Sequence, residues 1–192
     1  MSKKIDQIIL YLLIFFLIYC SFNIGLHWDQ LNIIQFGQDR LNYLFSLGSN
    51  NDYAEQWNSR FYPGAYSTIA VFITKFFPLK YEIESLKFVN MLIGVSTVFG
   101  IANITKEIFN KKVSKLVFII SFLNPHFFTH MIMNERDLVI AFCNVWFTYL
   151  IIKYLKNQHN DKKRKKYALS AAFVIGLGLG VRVVFLGTLI PI

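Results

Sequence analysis

The chain has 192 residues, 55% of them hydrophobic and 17% aromatic, with 20 Lys and Arg against 11 Asp and Glu for a net charge of +9. Apolar residues this abundant, in runs this long, exclude an ordinary soluble domain. The basic excess does not call for a nucleic acid, because it is gathered into blocks beside apolar runs, as on the cytoplasmic flanks of membrane helices: Lys3 and Lys4, then Lys106, Lys111, Lys112 and Lys115, then Lys162, Lys163, Arg164, Lys165 and Lys166.

Six apolar segments follow in chain order, roughly 5–26, 64–79, 86–105, 116–133, 138–155 and 167–190. A helix needs about 20 apolar residues to cross about 30 Å of hydrocarbon. If all six crossed from a cytoplasmic N-terminus, the basic run at 162–166 would lie outside, against the positive-inside rule. The segment at 64–79 is the one to demote. Its uninterrupted part, 64–77, is short, carries Lys75 and is closed by Pro78, which suits a helix lying at the interface.

The expectation is therefore an all-α, multi-pass bundle with about five crossings. The first helix, 5–26, leaves the cytoplasm and is not cleaved, since no small-residue cleavage site follows it. An external loop, 27–85, contains the interfacial helix 64–77. Helix 86–105 returns, 116–133 goes out, an acidic turn at 134–137 lies outside, 138–155 comes back, and 167–190 goes out again. Cys20 and Cys143 sit inside apolar runs and read as packing residues.

This topology puts two acidic regions on one outer face. The long loop carries Asp29, Asp39, Asp52, Glu55, Glu82 and Glu84, and the short turn carries Glu135 and Asp137. Carboxylates at a membrane boundary are costly to desolvate and mark either a working site or a solvated turn. Arg182 lies within an apolar stretch, where an Arg faces a polar cavity or a partner. His126 and His130 are four apart and share a helix face, without a third residue to complete a zinc site. Gly176, Gly178 and Gly180 suit close helix packing.

Three stretches in this order carry a resemblance: His27-Trp28-Asp29-Gln30, Arg60-Phe61-Tyr62-Pro63-Gly64, and Asn124-Pro125 through Glu135-Arg136-Asp137, followed by the small-residue run Gly176 to Arg182. Together they resemble the membrane-integral glycosyltransferases of the GT-C type, which include oligosaccharyltransferase catalytic subunits, protein O-mannosyltransferases and lipid A aminoarabinose transferases. The chain departs from the bacterial members in having Gln30 where many have Glu, and Gly64 where they have a second proline. It is also shorter than such enzymes, so the expectation is that it represents their N-terminal portion.

The resemblance implies a sugar donor linked to a polyprenyl phosphate, a lipid, glycan or protein acceptor, and reaction at the non-cytoplasmic face of a membrane, here a bacterial inner membrane. It implies Asp29 as general base, with Asp39 as the runner-up. Glu135 and Asp137 would orient the acceptor, or hold Mg²⁺ or Mn²⁺ if Asp29 completed the set. Arg60, with Arg136 and Arg182 as alternatives, would hold the donor phosphate, and His130 would lie near the path of donor or acceptor. The rival class is a truncated non-catalytic membrane partner, or a lipid-handling or transport protein. No internal repeat favours a transporter.

Overall fold

The computed structural model describes residues 3–25, 27, 30–50 and 63–190, without the side chains of residues 3–7 and 10. Among the described residues all regular structure is helical: α1 (Lys3–Asn23), α2 (Gln30–Phe45), α3 (Ala65–Thr74), a 3₁₀ turn (Leu79–Tyr81), α4 (Glu82–Ile108), α5 (Lys111–Leu123), α6 (Pro125–Met133), α7 (Glu135–Lys156), α8 (Asp161–Leu179) and the single turn α9 (Phe185–Thr188). The protein is a helical membrane bundle. Leu79–Ile108 and Glu135–Lys156 are each long and apolar enough to cross a bilayer. The α5–α6 pair passes the same test together, bent by 62°.

Asparagine starts four consecutive helices. The side chains of Asn110, Asn124, Asn134 and Asn160 accept the free backbone N–H groups at the heads of α5, α6, α7 and α8, a stabilisation of about 1 kcal/mol each. Asn124 also explains the bend. Its backbone is extended and Pro125 follows, so α5 stops and α6 restarts in a new direction.

The core forms around α4, which packs against α1, α3, α5, α6 and α7. Two apolar clusters lie along it. One joins Leu17 and Cys20 of α1 to Met91, Val95, Val98, Met131 and Leu138. The other joins Leu86 to Ile33, Ile34, Tyr66, Ala70, Val139 and Val174. Large side chains such as Phe15, Ile119, Ile120 and Phe173 stand exposed on the outside of the bundle, as lipid-facing positions require.

Small residues set the closest approaches. Gly94 faces Met131, and Gly100 faces Val145. Gly37 lets α2 lie on α3, with Ser67 O only 2.5 Å from where a Cβ would stand. Helices α4 and α7 run parallel. Glu107 near the end of α4 accepts from Lys153 and Lys156 near the end of α7, at 3.0 and 3.1 Å. This end of the bundle also carries Lys106, Lys111, Lys112, Lys115 and the basic start of α8. The opposite pole holds the heads of α3, α4 and α7 and the tails of α1, α6 and α8.

Two segments differ from the expected layout. The loop expected over 27–85 contains a second helix, α2. Its buried positions Gln30, Ile33, Ile34, Gly37 and Leu41 recur at helical spacing. The segment expected as one helix over 167–190 divides after Leu179. There the Gly180 carbonyl accepts from Ala65 N–H at 3.0 Å, and the ring of Phe185 folds back on Gly178. A side chain at Gly178 would collide with that ring, and one at Gly180 would press on Ala65.

Candidate active site at the acidic pole

Helix α7 begins at Glu135, so the acidic residues stand on its first turn and Asn134 alone forms the joint with α6. Asn134 grips Asp137 twice. Its Oδ1 accepts from Asp137 N–H at 3.2 Å, and its Nδ2 donates to Asp137 Oδ2 at 2.9 Å. The other oxygen, Oδ1, receives Arg182 Nη1 at 2.8 Å. The pair is partly open, with the side chains 42% exposed for Arg182 and 51% for Asp137. At that exposure it contributes at most about 1 kcal/mol to the fold. Its interest is positional: a carboxylate fixed at both oxygens, beside a cation that has left the helix.

Arg182 reaches Asp137 because α8 has ended. Val181 is buried, Arg182 lies in the non-helical joint between α8 and α9, and the Ala65–Gly180 hydrogen bond ties that joint to the head of α3. Thr188 adds a tie by donating to Asn144 Oδ1 on α7 at 3.0 Å. Three elements distant in sequence thus meet at one point.

Glu135 differs sharply from Asp137, being only 2% exposed. Its neighbour across the interface is Tyr66, on the first turn of α3. Burial pushes the Tyr66 hydroxyl well above its usual range, and the negative charge of Glu135 adds to the rise. The Tyr66 hydroxyl makes no hydrogen bond among the described residues. Glu135 is thus buried two residues before Asp137, whose pair with Arg182 is open.

Further polar ties hold the pole together. Lys87, almost fully buried, donates to the Ile24 carbonyl at the tail of α1 at 2.6 Å. Gln38 of α2 donates to Glu82 at the head of α4 at 3.0 Å. Asp39 is 6% exposed on α2 and accepts from Gln35 at 2.9 Å.

The remaining expected residues fall elsewhere. His130 is exposed on α6 with its ring against His126. Asp29 and Arg60 lie outside the described residues. So does the third oxygen donor that a divalent cation at Glu135 and Asp137 would need, because Asp29 was to supply it. Among the described residues no three His, Cys, Asp or Glu come together, and Asp137 already faces a guanidinium.

A cation the sequence reading did not single out is Arg40 of α2, next to Gly64 at the head of α3. It lies in a segment expected to be loop, and only the helical spacing of its apolar neighbours could have placed it.

No curated protein and no solved structure matches this chain. The model of one family does match, that described as dolichyl-phosphate-mannose-protein mannosyltransferase, over residues 64–192. The matched stretch runs from the head of α3 through α9 and includes Tyr66, Glu135, Asp137 and Arg182. Because it covers more than half of the chain, the protein belongs to the dolichyl-phosphate-mannose-protein mannosyltransferase family, a family of membrane glycosyltransferases.

Proposed function

We propose that the protein takes part in transferring a sugar from a polyprenyl-phosphate-linked donor to a lipid, glycan or protein acceptor on the non-cytoplasmic face of a bacterial inner membrane. The observation that carries this reading is the Asp137–Arg182 pair, set beside buried Glu135 at the pole opposite the basic block. A site for a negatively charged leaving group needs a cation near a carboxylate that handles the acceptor, at a membrane boundary the donor lipid can reach.

In this mechanism the acceptor oxygen or nitrogen forms a bond to the anomeric carbon while the bond from that carbon to the phosphate oxygen breaks. The proton of the acceptor goes to a carboxylate. The leaving phosphate keeps the electron pair, and the sugar is inverted. Asp29 is assigned the general base, on the sequence alone. Asp137 and Glu135 orient the acceptor. Arg182, together with Arg60, stabilises the charge gathering on the phosphate, and His130 stands by the lipid-facing approach. Exchange of Arg182 from Asp137 to the phosphate would free the carboxylate as the leaving group develops.

The reading requires the acidic pole to face outward. Single cysteines at Asn134 and Gln158, in a background lacking Cys20 and Cys143, test this with a thiol reagent that does not cross the membrane. Asn134 is expected to label on intact cells and Gln158 only after permeabilisation. Labelling of Gln158 on intact cells would place the basic pole outside and end the proposal.

A further inference from the structure

Asn90 stands on the third turn of α4 and is 0% exposed. Neither its Oδ1 nor its Nδ2 makes a hydrogen bond among the described residues. An amide taken out of water and left unpaired destabilises a fold, and buried side-chain amides are as a rule hydrogen-bonded. An apolar residue would be cheaper here. One turn earlier on the same face the chain has Leu86, fully buried.

The register of α4 against α7 says what Asn90 faces. Gly100 lies against Val145, and Glu107 against Lys153. Parallel helices keep that offset, which brings Glu135 level with Asn90. Tyr66 of α3 packs in one buried cluster with Leu86 and Val139, the residues one turn before Asn90 and one turn after Glu135. The charge of Glu135 is felt at the Tyr66 hydroxyl, which is also buried and makes no hydrogen bond among the described residues. Two neutral polar groups, from two helices, thus meet at a buried carboxylate on a third.

The groups are complementary. A carboxylate only accepts, a phenol has one O–H to donate, and a primary amide has two N–H. Neutral donors can fix a carboxylate without cancelling its charge, as the Arg182 guanidinium does at Asp137. The charge then stays available to a hydroxyl or amide of the acceptor.

We propose that Asn90 and Tyr66 are positioning residues for Glu135: with acceptor bound, the amide and the phenol donate to its carboxylate, directly or through one bridging water, and hold it in the orientation that receives the acceptor. The assignment rests on the transfer reading above. Hydrogen bonds of this kind tighten only in the substrate complex, and a polar group kept at a loss of stability is what a working site requires.

Asn90→Leu, Tyr66→Phe and Glu135→Gln, singly and combined in the full chain, test this by thermal melting and by sugar transfer in one detergent. Asn90→Leu is expected to melt at or above the temperature of the unaltered chain, because leucine removes the unpaired amide. Its kcat should fall about 10- to 100-fold, the loss of a hydrogen bond to a charged group, with the KM for the donor unchanged. Tyr66→Phe should behave alike, and Asn90→Ser, which keeps one donor, should recover part of the rate. In the Glu135→Gln background Asn90→Leu should cost little more, since the group it positions has been altered.

Full transfer by Asn90→Leu and Tyr66→Phe would overturn the assignment and leave the transfer reading standing. So would an undiminished effect of Asn90→Leu in Glu135→Gln, or a loss of transfer explained by a lower melting temperature. Tyr66→Phe barely changes shape and decides the matter if Asn90→Leu does not fold. No transfer by the unaltered chain would overturn the transfer reading; a non-additive melting shift between Asn90→Leu and Glu135→Gln would then still uphold the contact, and additive shifts would overturn both.

Discussion

Replacing Asp137 by Asn is expected to lower sugar transfer by about 10²- to 10⁴-fold, the range for loss of a positioned acid–base or charge-handling group. The fold should barely register the change. Asn134 can still hold residue 137 at the head of α7, since an amide oxygen accepts the same hydrogen bond that Oδ2 receives now. The Arg182 pair that is lost is half-exposed and is worth about 1 kcal/mol at most. A transfer assay with a polyprenyl-phosphate sugar, run beside a thermal melt in the same detergent, separates the two effects. Unchanged transfer, or a fall in transfer matched by a collapse of the melting curve, would make Asp137 a structural cap and remove it from the mechanism.

The second large effect concerns stability. Gly37→Ala is expected to destabilise the protein by about 2–3 kcal/mol, the upper part of the range for overpacking a tight interface. The added methyl would stand 2.5 Å from the Ser67 carbonyl oxygen and overlap Val71, itself fully buried. Backbone cannot step aside as a side chain can, so α2 must lift from α3. Gly94→Ala offers the contrast. The nearest atoms its methyl meets are Cγ, Sδ and Cβ of buried Met131, a side chain that can partly repack, and about 1–2 kcal/mol is expected. Melting temperatures of the two variants in one detergent decide the matter; equal losses would mean that the α2–α3 contact does not hold α2 in place. Gly37→Ala should also disturb the Arg40–Ser67 hydrogen bond one helical turn away.

The membrane character of the chain was legible because it depends on composition and run length, which need no tertiary information. Glu135, Asp137 and Arg182 could likewise be singled out, each being a charge set in apolar surroundings. Their pairing could not. Arg182 is far from Asp137 in sequence and reaches it only because α8 stops at Leu179, and that stop rests on a hydrogen bond from α3. Helix periodicity alone runs on through Gly180.

Other features carried a local signal that run length obscured. Asn110, Asn124, Asn134 and Asn160 mark the helix starts, and Asn134 with two acids just after it predicts a helix head where a turn was expected. Helix α2 is polar enough to pass for loop, yet Ile33, Ile34, Gly37 and Leu41 share one face. Lys87 was unremarkable at the edge of an apolar run. Only the structure shows it closing the tail of α1.

The parallel run of α4 and α7 has a consequence for depth. Gly100 lies against Val145, and Glu107 against Lys153. In that register Glu135 falls beside Asn90, about eight residues below the head of α4, or roughly 12 Å at the helical rise. The head of α7, with Glu135 and Asp137, therefore starts about two turns further along the bundle than the head of α4. On the proposed transfer reading, an acceptor arriving from the pole would pass the first two turns of α4 before it reached them.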